Sequence, residues 1–501
     1  MVIFPKCTLL ILASFSCFML QAQEPFKIKW SGPNKMQRND HHHKVVHADS
    51  TSIYCLSHHK NEKDLFDKGT PILDAFDWNL QRVSSRVLAG FEKTDSIAFQ
   101  SLLNVAGYTY LFYYKKLERS QNVFLARRLN LKENRFEGEP VVIGDTMRIV
   151  RHTLSFFPWA FSGGIYGLQS MSANYVVNGD KIAFLFFKNL QEFRIAVYNR
   201  KMKLLWHKIY QLPFDERGTS LSRFALLRTG NVMLEFRQYE KMIINDWENR
   251  MPQDKFKHFL MLINGSNEEA NLFQLDVGKP FYGDLVGREH PNGQIHYLTT
   301  YSEKEYNQAY GLIRYVVDPL AKTMTVSDPM PFSAEFVREV APAPEKDHPV
   351  SLRNFMLRNE NLTGDFGVVG EFFSEEGTGS LGNFAIIRYD SAFQKLQGAK
   401  IFKWQPYDPY QNLSEYFSGS LLNTEGASYL FYNKDFSKSN PRVFVSKWGK
   451  SGPPDIYPLA PPDDSKAMYK INTRFLYKGK YLVMADSERH DQYYLGVFEP
   501  D

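Results

Sequence analysis

The chain has 501 residues, 60 of them basic and 55 acidic, for a net charge of +5; so even a balance excludes nucleic acid or an anionic membrane as a partner selected by bulk charge. Three cysteines are too few for a disulfide scaffold, so stability has to come from a buried core, for which the chain is long enough. Its 40 Phe, 28 Tyr and 7 Trp suit pleated, half-buried surfaces, and the composition leans all-β.

The first element is a leader. Lys6 is the only charge ahead of a 14-residue, largely apolar run, Cys7 to Leu20, which Gln21-Ala22-Gln23 closes. A basic residue, a short apolar stretch and a small exit residue form a secretory signal, here cut after Ala22. A membrane helix needs about 20 apolar residues, so the run is too short to be one. Cys17 is a weaker lipoprotein site, because the small residues that should precede it are only half present. The expected mature protein, residues 23–501, keeps Cys55 alone and, with 59 basic and 55 acidic residues, a net charge of +4. Its expected location is the periplasm or the cell exterior. No later apolar stretch is long enough to span a bilayer.

From there the chain reads as short apolar runs of period two, separated by turn residues. Phe26 to Trp30 is a lone strand. A first unit follows (Lys44–His47, Ile53–Leu56, Ile72–Trp78), then a second with Tyr108–Tyr114 and Val123–Leu129. The third sets Lys181–Phe187 and Phe193–Tyr198 about an Asn178-Gly179 turn. The fourth has Val232–Phe236 after Thr229-Gly230-Asn231, and the fifth Ile295–Thr299 after Asn292-Gly293. A sixth runs from Phe355 to Tyr389. The seventh, with Tyr429–Tyr432 and Val443–Trp448, repeats the layout of the second. The eighth has Tyr481–Ala485 and Tyr493–Phe498 and lacks one strand. Asn-Gly and Gly-Asn turns favour positive φ and tight antiparallel hairpins. Eight units of about sixty residues, longer than common blade repeats, predict one β-propeller of seven to eight four-stranded blades. Phe26 to Trp30 would close the ring by completing the last blade. The competing architecture is a pair of β-sandwich domains split near Ala341–Pro344.

In unit layout and terminal closure the mature chain resembles bacterial propellers of the WD-repeat-like and kelch-like kinds, without their diagnostic dipeptides. It is also similar to exported propellers of Bacteroidota in its Gln-Ala-Gln exit and its richness in Phe, Tyr, Asn and Lys. The resemblance implies an architecture and no activity.

Motif by motif, little chemistry stands out. His41, His42, His43, His47, His58 and His59 crowd into 19 residues, yet His43 and His47 on one strand face lie too far apart for one ion. No metal is expected there. Gly377, Gly379 and Gly382 match G-x-G-x-x-G, but a strand follows them instead of a helix, so they mark a hairpin and not a nucleotide cradle. No nucleophile elbow, zinc helix or P-loop occurs. Asp284, Glu289, Glu371 and Asp408 are acidic residues that nothing singles out, so no catalytic residue and no cofactor is expected. Asp95-Ser96-Ile97, Asp145-Thr146-Met147 and Asp390-Ser391-Ala392 fit a short O-glycosylation triplet.

Two aromatic segments carry more weight: Phe156 to Phe161, and Trp404 to Tyr410. Exposed aromatic rings stack on sugars or anchor protein partners, which makes Phe157, Trp159, Trp404, Tyr407 and Tyr410 the candidate binding residues. Burial between blades is the competing role for the same rings. The expectation is a non-enzymatic binding or scaffolding propeller for a protein or glycan partner. The alternative is a glycan-directed hydrolase or lyase with carboxylates at the central channel.

Overall fold

Strands account for 68% of the structure and helix for 2%, so the core is built by packing sheet on sheet. In the computed structural model the described residues are 26–36, 40–59, 70–91, 97–118, 121–143, 147–148, 174–187, 192–212, 219–239, 256–275, 278–279, 281–283, 285–290, 292–303, 308–341, 352–353, 355–359, 367–374, 380–389, 396–403, 405–406, 419–424, 427–434, 442–449, 453–469, 475–489 and 491–500.

Eight four-stranded antiparallel blades form a ring. Blade 1 runs Asp40–Ala48, Ile53–His59, Thr70–Phe76, Arg82–Val87, and blade 2 Ile97–Val105, Tyr108–Glu118, Gln121–Asn130, Arg135–Val142. Blade 3 is Asn174–Asn178, Lys181–Phe187, Glu192–Asn199, Leu204–Gln211, and blade 4 Thr219–Leu226, Val232–Tyr239, Phe256–Ile263, Ala270–Leu275. Blade 5 has Val286–Glu289, Ile295–Ser302, Gly311–Asp318, Thr323–Val326, and blade 6 Phe355–Asn359, Gly367–Ser374, Ser380–Tyr389, Leu396–Ile401. Blade 7 has Gly419–Asn423, Ser428–Asn433, Val443–Trp448, Asp455–Pro458. Blade 8 takes Phe475–Tyr477, Lys480–Asp486 and Gln492–Pro500 from the end of the chain and Phe26–Trp30 from its beginning. The register runs from Phe26 opposite Pro500 to Trp30 opposite Gly496. The expected closure is therefore present, and the expected eighth unit receives its missing strand. The internal repeat also holds: Tyr108–Glu118 and Ser428–Asn433 are both second strands of their blades.

The second and third strands are buried on both faces, which is why they read as continuous apolar runs. In Lys181–Phe187, Ile182, Phe184 and Phe186 pack toward blade 2 while Ala183 and Leu185 pack toward blade 4. Outer strands alternate instead, as in Ala270–Leu275. Eight apolar clusters fill the eight seams between neighbouring blades. The seam that closes the ring joins Val45, Ile53, Cys55 and Phe76 of blade 1 to Leu482, Met484, Tyr493 and Leu495 of blade 8. The closing strand is itself seated: Trp30 lies over Gly496, where a Cβ would come within 2.8 Å of the indole, and its Nε1 donates to the Leu459 carbonyl at 3.1 Å.

Ala341 follows a short helix, Ala334–Val340, capped by Ser333. That helix packs Val340 and Phe336 against Gly398 on the outer strand of blade 6, and Gln308–Ala309 of blade 5 pairs with Leu352–Arg353 beside blade 6. Residues 342–344 lie outside the described residues, but blades 5 and 6 on either side of them pack together in one ring, so the two-sandwich alternative fails. The helix was not foreseen in the sequence, being only seven residues long.

Candidate functional site

An antiparallel meander places the connections between first and second and between third and fourth strands at one end of the ring. The remaining connections gather at the other end. Among the described residues, the first end carries tight turns. In blades 1 to 5 an Asn or Asp at the end of the third strand folds back onto the turn that follows it. Asp77 Oδ1 accepts from the Gln81 amide at 2.8 Å, Asn130 from Glu133 at 3.1 Å, Asn199 from Lys201 at 2.9 Å, Asn264 from Ser266 at 2.8 Å and Asp318 from Leu320 at 2.9 Å. Each turn then passes through a left-handed residue: Leu80, Asn134, Met202, Glu268 and Lys322, with φ between 51° and 67°. The repeated Asx signal was present in the sequence but was hidden by variable spacing between blades.

At the opposite end lie the strand ends that flank residues 60–69, 149–173, 240–255, 342–351 and 407–418, segments outside the described residues. These strand ends hold buried polar and charged groups: His58, His258, Asn433, Arg442 and Asp486. This end is the candidate functional face.

Its chemistry is organised seam by seam. On the blade 4 side of seam 4/5, Glu235 is buried and lies 3.8 Å from Arg223, whose guanidinium donates to the Gly287 carbonyl of blade 5 at 2.9 Å. His258 stands opposite Arg237 across the ladder. Burial first and the Arg237 charge second hold its imidazole well below the ordinary value of 6.5, so it is neutral. Near seam 6/7, Lys403 forms an ion pair with Glu371, both fully buried, and its ammonium sits 4.0 Å from the Phe384 ring centroid. Across seam 7/8, Asn433 and the Tyr469 backbone exchange two hydrogen bonds at 2.8 and 2.7 Å. Arg442 reaches Glu488 at 2.7 Å and holds that carboxylate below its usual range. Burial and the carboxylate of Asp464, which accepts its hydroxyl, push Tyr494 up to about 12. Across the closing seam, Tyr493 donates to Asp74 at 2.7 Å. Cys55, opposite Asp74 in the ladder, has its thiol pushed well up by burial and by that carboxylate.

The five aromatic candidates, Phe157, Trp159, Trp404, Tyr407 and Tyr410, lie outside the described residues, as do Asp284, Asp408 and residues 1–22, the expected leader. Of the acidic residues noted in the sequence, Glu371 is the buried partner of Lys403. Glu289 sits at the turn end and accepts from the Arg228 amide at 2.8 Å. Bulges between His41 and Lys44 and between Val45 and His47 interrupt the alternation of the first inner strand. His47 meets Asn104 at 3.1 Å, and His58 packs edge-on against Phe99 at 4.7 Å. The side chains of His41, His42, His43 and His59 are outside the described set, and no group of three potential ligands occurs among the described residues. Gly382 lies inside the strand Ser380–Tyr389, paired antiparallel to Gly367–Ser374, while Gly377 and Gly379 lie outside the described residues.

No protein-family model matches the chain, and no curated protein does. Among solved structures it is similar to a mutant of the Synechocystis apocarotenoid oxygenase at 9% identity, with 71% of each chain covered and a TM-score of 0.34. It is similar to prolyl oligopeptidase B of Galerina marginata at 10% identity, over 92% of this chain and 55% of that one, with a TM-score of 0.39. The β-propeller domain of the trilobed protease of Pyrococcus furiosus aligns at 11% identity, over 80% and 92%, with a TM-score of 0.35. At this distance none of the three bears on activity, and the class of the protein, an eight-bladed β-propeller, is defined by its own strand order.

Proposed function

We propose that this protein is an exported binding or scaffolding propeller, cut from its leader after Ala22 and acting in the periplasm or outside the cell on a protein or glycan partner. The observation that carries the reading is an asymmetry among the described residues: in blades 1 to 5 one end of the ring is closed by short self-bonded turns, while at the other end the strand ends form a rigid frame from which the longest stretches between strands depart. Binding residues concentrate on loops positioned in this way. In the sequence, Phe157 and Trp159 lie between the last strand of blade 2 and the first of blade 3, and Trp404, Tyr407 and Tyr410 between the last strand of blade 6 and the first of blade 7; aromatic rings there would stack on sugars or anchor a protein chain. The Gln-Ala-Gln exit, like that of Bacteroidota export signals, supports the compartment.

A glycan hydrolase or lyase would need two carboxylates converging on one bond. Three of the buried carboxylates each face a different seam and a different partner: Asp74 with Tyr493, Glu235 with Arg223, Glu371 with Lys403. That distribution favours binding. The test is titration of residues 23–501 with neutral and acidic oligosaccharides, beside Trp159→Ala and Trp404→Ala. Saturable binding that falls at least ten-fold in variants with unchanged melting supports the reading. Unfolding of both variants, or release of new reducing ends from the sugars, overturns it.

A further inference from the structure

Outer strands of a propeller are open sheet edges, and most edges here are blunted by recognised means. Blade 2 has Pro140 and a bulge between Glu137 and Val141. Blades 5 and 7 end in four-residue strands, and the latter finishes on Pro458. Blade 6 lies under the helix Ala334–Val340, and blade 8 presents Lys27 and Lys29.

Blade 3 differs. Its outer strand Leu204–Gln211 has eight residues, no proline and a bulge only at its start. Leu204, Leu205 and Ile209 are exposed by 39%, 46% and 53%, more large apolar side chains than any other outer strand displays. From Arg200 to Gln211 the sequence holds four Lys or Arg residues and no acid. Lys201, Lys203, His207 and Lys208 are exposed, and Arg194, opposite Ile209 on the next strand, lies 3.2 Å from His207. No described strand pairs with the outer edge.

We propose that this edge docks an extended segment of a partner protein in which acidic and apolar residues alternate. The partner strand would continue the blade 3 ladder through main-chain hydrogen bonds. Its apolar side chains would cover Leu205 and Ile209, and its carboxylates would meet the cations of Lys201, Lys203 and Arg194. Charge complementarity selects the acidic sequence, while the linear run of apolar residues along one edge selects a strand over a flat surface. The surface lies on the rim, along the outer edge of blade 3, and stands independently of the binding reading given for the long-loop end.

The test uses residues 23–501 and a fluorescent acetylated peptide of four Glu-Val repeats, followed by anisotropy. Saturable binding is expected, weakened at least ten-fold by Lys201→Glu with Lys203→Glu, and lost when alternate peptide nitrogens are methylated. A Lys-Val peptide should not compete. Ile209→Asn serves as a second variant should the double one melt early. Absence of binding, equal binding of the Lys-Val peptide, or indifference to methylation overturns the proposal. So does an interaction seen only with anionic vesicles, or self-association that Ile209→Asn abolishes.

Discussion

The two ends of this ring solve the problem of buried polarity differently. At the turn end, polar side chains serve their own backbone: Asp77, Asn130, Asn199, Asn264 and Asp318 each close a turn locally. At the long-loop end, polar groups are tied across the core, as Lys403 is to Glu371 and Tyr493 to Asp74. Local bonds cost little to lose, whereas buried charges are strongly coupled. Damage at the turn end should therefore be small and additive; at the other end it should be large and cooperative.

The largest effect is expected at the buried ion pair. Glu371→Ala leaves Lys403 buried without its counter-charge and should cost about 3–5 kcal/mol in denaturant unfolding. The double change Glu371→Leu with Lys403→Met should recover most of that loss. A single variant as stable as the parent would break the contrast.

His258 sharpens the contrast through pH. Its folded pKa is depressed, so the unfolded state takes up its proton first as pH falls. The stability it contributes is complete above about 6.5 and is lost progressively below that value toward its folded pKa. The slope should reach at most about 1.4 kcal/mol per pH unit. Melting between pH 7.5 and 5 would show it, and His258→Gln should flatten the curve; an unchanged slope would contradict the assignment.

At the turn end, Asn199→Ala removes the acceptor for the Lys201 and Lys203 amides and should cost only about 1 kcal/mol. Smaller still, Ala106 holds a φ of 47° ahead of Gly107 at 89°. Ala106→Asn creates the Asn-Gly pair this turn prefers and should stabilise the fold by about 0.5 kcal/mol. Chemical denaturation of both variants checks the sign of each effect.

Most of the fold was legible in the sequence, because it is written in local signals. Central strands appear as apolar runs such as Lys181–Phe187, and turns as Asn178-Gly179 or Asn292-Gly293. The lone strand Phe26–Trp30 matched the unit that ended short of a fourth strand. The candidate site was far less legible. Nothing in the neighbourhood of Glu371 announces Lys403, and Tyr493 finds Asp74 only because the ring brings its two ends together. Pairings of that kind depend on tertiary geometry and leave no periodic trace. The helix Ala334–Val340 escaped for another reason: two turns offer too little pattern, and its burial against Gly398 is set by blade 6.

Cys55 provides the most direct probe of closure, since it lies buried in the seam between blades 8 and 1 and is the only cysteine in residues 23–501. Its reaction with a thiol reagent should be followed in residues 23–501 and in a version beginning at residue 31, which lacks Phe26–Trp30. A ring latched by that strand predicts a silent thiol in the longer protein and rapid labelling in the shorter one, below the denaturant concentration that unfolds the former. Equal protection in both would contradict closure by the N-terminal strand.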